Sequence, residues 1–215
     1  MLQKLRDPVS SLTHLAGAVL AIPCTILLVI AAARYASARY IVAFAVFGAS
    51  LFLLYAASAI YHMPRFSEKA IRVLRRIDHM MIFVLIAGTY TPVCLLPLQG
   101  VWGWTLFGLV WGLAAAGIVL KAVWMQAPCW LSTAIYVFMG WLALIAFYPL
   151  AQAVSATALT LLVGGGLAYT VGAVIFVTKW PPLRWRYFGS HEVFHIFVLL
   201  GSSLHVVFMF QLIPA

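Results

Sequence analysis

Apolar residues run almost without interruption along this chain, broken at intervals by short clusters of Arg, Lys, Gly and Pro. A helix rising 1.5 Å per residue needs about 20 apolar residues to cross the hydrocarbon core of a bilayer. Seven runs of that length occur, at approximately 12–33, 40–62, 78–97, 102–121, 129–149, 155–178 and 189–212. Their breaks fall at Arg34 to Arg39, at the basic stretch Pro64 to Arg76, at Pro97 to Gly100, at Met125 to Pro128, around Gln152, and at Lys179 to Tyr187 with its Pro181-Pro182 pair. The runs are continuously apolar rather than alternating, which disfavours a β-barrel.

Composition agrees. Hydrophobic residues make up 66% of the chain and charged ones 8%, against roughly 25% charged in soluble domains. The expectation is an all-α integral membrane protein, a seven-transmembrane helix bundle. No polar linker or low-complexity tract divides it, so residues 1–215 are read as a single membrane domain. Lys4 and Arg6 ahead of an apolar stretch ending in Ala31-Ala32-Ala33 have the outline of a secretory signal. That stretch exceeds the 7–15 residues of a signal core and carries His14, so it is read as a retained first span. Cys24, Cys94 and Cys129 share no ligand-like spacing and read as small apolar residues.

Eleven of the thirteen Lys and Arg residues fall in one set of alternate segments: the N-terminus and the second, fourth and sixth loops. The other set holds only Arg34 and Arg39. The positive-inside rule then puts the N-terminus in the cytoplasm and the C-terminus outside. The net charge of +9 reads as orientation and contact with anionic lipid headgroups at the cytoplasmic face, not as nucleic-acid binding. The oligomeric state stays open.

Six histidines accompany only four acids. His191 and His195 stand four apart, on one helical face at the start of the seventh span. With the N-terminus inside, His62 ends the second span and Asp78 begins the third on that same side. Ser58 lies one turn deeper than His62 on the same face. A lone membrane histidine is most simply a hydrogen-bonded packing group, but ionisable groups gathered at one depth point to function. Three neutral imidazoles with an open fourth position are the coordination set of catalytic zinc, and Asp78 is placed to act as general base.

These residues also carry a resemblance. Ser58-Ala-Ile-Tyr-His62, Ser67-Glu68-Lys69, Leu74-Arg-Arg-Ile-Asp78-His-Met-Met-Ile82, Ala87-Gly-Thr-Tyr-Thr-Pro92 and His191-Glu-Val-Phe-His195, with Thr13-His14 in the first span, resemble the signature of the progestin and adipoQ receptor superfamily. The similarity is to its bacterial haemolysin III branch and spans nearly the whole chain. It implies a seven-helix protein of the bacterial inner (plasma) membrane, with zinc on His62, His191 and His195 near the cytoplasmic face and Asp78 and Ser58 beside the metal-bound water.

The same stretch spells His-Glu-x-x-His, the zincin pattern, with Glu192 as the base of an intramembrane metalloprotease. Glu192 at the positive end of a helix is equally a capping residue. His205 lies about 15 Å beyond His195 along a helix, too far to share a metal, and His79 is turned about 100° from Asp78. His14 is at the right depth and reads as a packing or supporting group. Trp102, Trp104, Tyr148, Trp180, Trp185 and Tyr187 sit where aromatic rings anchor helices at headgroups. Gly164-Gly-Gly166 and Gly172 permit close helix approach.

The leading expectation is a zinc-dependent hydrolase of a lipid amide or ester, with Asp78 deprotonating a zinc-bound water and Ser58 orienting water or oxyanion. A non-enzymatic lipid-sensing receptor or regulator with a structural zinc is the alternative. A pore-forming cytolysin is suggested by the branch name alone, and uniformly apolar spans argue against a channel.

Overall fold

The computed structural model describes residues 6–35, 37–63, 67–182 and 188–214. Lys4, Arg65, Arg184 and Arg186, counted for orientation, and the expected anchors Trp185 and Tyr187 lie outside the described residues. The chain folds as α1 (Pro8–Tyr35), α2 (Ala38–His62), α3 (Glu68–Val93), a π-helical turn (Cys94–Leu98), α4 (Gly100–Val123), α5 (Cys129–Gly140), a 3₁₀ segment (Leu142–Ala146), α6 (Phe147–Ala153), α7 (Ala156–Thr178) and α8 (Ser190–Gln211). Among the described residues, seven spans are long and apolar enough to cross a membrane. The fold is an all-α, seven-span membrane bundle.

Two boundaries depart from the hydropathy pattern. The third span begins ten residues before its apolar run, at Glu68 rather than Asp78. Ser67 caps it, accepting from Ala70 N at 3.4 Å, and Glu68 suits its positive end. Lys69, Arg72, Arg75 and Arg76 are therefore helical, where the sequence reads as a basic loop. The fifth span is not one helix but α5, a 3₁₀ segment and α6. Pro149 accounts for the restart: it cannot donate to Ile145 and its ring crowds that carbonyl, but it is tolerated in the first turn of a new helix.

Neighbouring spans pack as hairpins, α1 on α2, α2 on α3 and α7 on α8, and α1 also meets α8. Leu28, Phe44, Phe47, Phe208 and Met209 fill a core between α1, α2 and α8, and Phe83, Val110 and Met139 fill a second between α3, α4 and α5. Large side chains such as Leu20, Val101 and Val119 face outward, as lipid-facing residues do. Glycine sets the α7–α8 approach. A Cβ on Gly165 would lie 2.3 Å from the His205 ring, and one on Gly172 would lie 2.7 Å from Phe197 Cβ. That approach fixes the rotation of α8, and with it the direction in which the histidines of its first turns point.

Candidate metal centre

α1, α3, α5 and α8 begin at the end of the bundle where α2, α4 and α7 finish, so residues remote in sequence meet there. His62 is the last residue of α2, and His191 and His195 occupy successive turns at the start of α8. Ligand-competent atoms of these three side chains lie within 4.8 Å of one another. His62 Nε2 and His191 Nε2 are 3.3 Å apart. His62 and His195 are 3% and 2% exposed, and His191 is half-buried.

A residue that spacing alone does not reveal orients the set. His62 Nδ1 lies 2.8 Å from Asp7 Oδ2. Asp7 precedes α1, its carbonyl accepts from Ser11 N at 3.0 Å, and its amide donates to the His62 carbonyl at 3.2 Å. Pro8 follows at the first helical position, which suits its fixed φ and missing N–H. Arg6 Nε donates to the same carboxylate oxygen at 2.9 Å, and its guanidinium stacks 4.1 Å from the centroid of Tyr61. The His62 hydrogen bond, helped by Arg6, lowers the Asp7 pKa to about 2 against the opposing effect of burial. An ionised carboxylate only accepts, so His62 Nδ1 carries the proton that Asp7 receives, and Nε2 faces the other rings. Asp7 is one of only four acids in the chain, and its start-of-helix position is the signal that could have found it.

Asp78 lies about 15 Å inside α3 rather than at its start. It is 9% exposed and lines the same cavity as the triad and buried Ser58. Ser58, on the adjacent α2, is close enough for its hydroxyl to act on that carboxyl. Three of the four acids, Asp7, Asp78 and Glu192, border this cavity. Its volume is about 980 Å³, and it extends from the triad past Val198 and Tyr169 to Gly166 and His205.

The other histidines have distinct surroundings. His14 stacks on His195 with ring centroids 3.7 Å apart and meets Tyr55 edge-on at 5.0 Å, a packing role. His205 Nε2 approaches the Leu162 carbonyl at 3.1 Å, deep in the bundle. His79, within α3, accepts the Tyr136 hydroxyl through its backbone carbonyl at 3.1 Å. Glu192 is occupied at both oxygens: Oε2 accepts from Gly189 N and Oε1 from Ser10 Oγ, each at 2.8 Å. It closes the α8 cap and binds α1, which removes the free carboxylate that a zincin base requires.

The family described as Haemolysin-III related matches residues 2–206. The chain is 40% identical over 195 residues to Hemolysin-3 of Bacillus cereus, covering 91% of this chain and 86% of that one. It is 43% identical over 194 residues to a Hemolysin-3 homolog of Bacillus subtilis (strain 168), covering 90% and 88%. Seven apolar spans and bacterial relatives together make this an integral protein of the bacterial inner membrane. With the match extending from the segment before α1 to within five residues of the end of α8, the chain belongs to the haemolysin III family.

Proposed function

We propose that this protein is a zinc-dependent hydrolase acting on an amide or ester bond of a membrane lipid. The observation that carries the reading is the cavity, which joins three imidazoles, a buried carboxylate and a hydroxyl at one end to a largely apolar interior. His195 and His205 both line it, ten residues apart on α8, so it is deep enough for about 15 Å of acyl chain.

The donor set fits zinc. Tetrahedral bonds of 2.0–2.1 Å place ligand nitrogens about 3.3 Å apart, the separation of His62 Nε2 and His191 Nε2. His195 Nδ1 is buried without a hydrogen-bond partner among the described residues. Imidazoles suit zinc, whereas magnesium and calcium require oxygen ligands. The resemblance to the progestin and adipoQ receptor superfamily implies the same three ligands. Zinc held there would supply a Lewis acid that polarises a carbonyl and lowers the pKa of water.

The chain's own groups supply the rest. Asp78 takes the proton of the attacking water at a carboxylate oxygen and returns it to the leaving nitrogen or oxygen. Ser58 orients that carboxylate or donates to the developing oxyanion. Asp7 holds His62 in one tautomer and one orientation. With the triad end cytoplasmic, the scissile bond sits just beneath the inner headgroups.

One observation favours a second reading. The triad joins α2 to α8, and Asp7 adds α1, so the same ion could staple helices in a lipid-responsive regulator. The experiment is a mixed-lipid panel incubated with purified protein, with products followed by mass spectrometry. Release of a fatty acid that is lost on chelation and restored by zinc supports the hydrolase, and absence of product across the panel favours the staple.

A further inference from the structure

Lys121, in the last turn of α4, is 2% exposed, and its ammonium donates to Ser132 Oγ in the first turn of α5. Among the described residues no carboxylate pairs with it, and three of the four acids are engaged elsewhere. Asp7 is held by Arg6 and His62, Glu68 by Arg72, and Glu192 by Gly189 and Ser10. Asp78 forms no ion pair among the described residues and stands in the field of His62, Arg6 and Arg75. A buried, unpaired ammonium is costly. The α4 dipole offsets part of that cost but amounts to only about half a charge.

The surroundings of Lys121 raise the cost further. Arg75 of α3 adds a second positive charge to the same cavity wall, and like charges there disfavour one another. Both line the cavity described above, with Ser132 and Thr133 on the wall beside them. Orientation in the membrane accounts for exposed Arg72 and Arg76, since any cytoplasmic loop attracts such residues. It does not account for a buried lysine set against a serine on a cavity wall that it shares with Arg75. A lysine and an arginine on one cavity wall, with the Ser132 hydroxyl beside the lysine, are complementary to an oxyanion with several acceptor oxygens.

We propose that the Lys121–Arg75 corner of the cavity is a phosphate subsite, holding the headgroup of an amphiphile whose chain lies along the apolar wall formed by Ile82, Leu85, Phe194 and Val198. The chain placement rests on the lipid reading above. The charge argument does not, and the test uses binding rather than turnover, so failure of the subsite and failure of the hydrolase are separate results.

The experiment measures thermal protection of full-length, chelator-treated protein in neutral detergent by three probes: a monoacylglycerol phosphate, the monoacylglycerol of the same chain, and inorganic phosphate. The phosphate lipid is expected to protect at concentrations roughly tenfold or more below the neutral one, the contribution of a charge-assisted hydrogen bond. Lys121→Met removes the buried charge at similar volume, so it should unfold no earlier than wild type while losing that preference. Arg75→Gln, an exposed change with little effect on folding, should weaken the preference in the same direction. Equal protection by both lipids, or a preference that survives both substitutions, overturns the subsite. The same panel is repeated on zinc-reloaded protein, and a preference seen only there places the phosphate on the triad and likewise overturns it. Protection by inorganic phosphate equal to that of the lipid overturns the headgroup while supporting an oxyanion site.

Discussion

Asp7 Oδ2 and His62 Nδ1 are 2.8 Å apart, a contact that ties the residue before α1 to the last residue of α2 across 55 positions of sequence. Carboxylates in this position fix the tautomer of a metal-binding imidazole and raise its basicity. Asp7→Ala should lower zinc affinity roughly 10–100-fold, with Asp7→Asn losing less because its amide oxygen still accepts from Nδ1. Competition against a chelating dye measures this. Unchanged affinity in Asp7→Ala would assign the contact to packing alone.

The triad itself is tested by metal content. Purified protein should carry about one zinc, and His62→Ala, His191→Ala and His195→Ala should each abolish stoichiometric binding. His205→Ala should not, since His205 meets a backbone carbonyl deep in the bundle. Elemental analysis of the variants decides it. Full retention in the His191→Ala, His195→Ala double variant would refute the ligand set, whereas retention in His62→Ala alone would promote His14, which already stacks on His195.

Asp78 separates catalyst from staple. Asp78→Asn is nearly isosteric and leaves all three imidazoles in place, so zinc and fold should persist while lipid hydrolysis falls roughly 10²–10⁴-fold. Product by mass spectrometry and zinc content are read on the same samples. Undiminished turnover in the variant would remove Asp78 from the chemistry. Where wild type turns over nothing, the substitution should act on thermal stability instead.

Orientation rests on the distribution of cations along the chain. A reporter fused after Ala215 should face outside, and one inserted between Met63 and Ser67 should face the cytoplasm. Cytoplasmic accessibility of the C-terminal fusion would contradict this and would put the triad at the opposite membrane face.

The spans were legible because a bilayer imposes a length of apolar helix that few other environments demand. Where the environment changes, legibility ends. Glu68 to Ile77 fold as helix although their charges read as loop, since that turn of α3 lies where water can reach it. The break at Gly140 to Phe147 leaves hydropathy untouched, and only Pro149 hints at it. His62, His191 and His195 were legible together because four crossings, an even number, lie between the end of the second span and the start of the seventh and return the chain to the same depth. Asp7 was passed over because it belongs to no periodic pattern, and Lys121 was counted as a loop charge although it is buried.

The placement of Arg6 and Asp7 against the end of α2 bears on how the protein is handled. A purification handle or fluorescent fusion at the amino end would add mass six positions before Asp7, whose carboxylate holds the His62 imidazole. Metal content measured on such a fusion would report on the attachment as well as on the protein. α8 finishes at Gln211, at the opposite end of the bundle. The carboxyl end is therefore where a handle belongs, and a protein tagged at each end in turn offers a direct check on whether the first residues of the chain govern the metal.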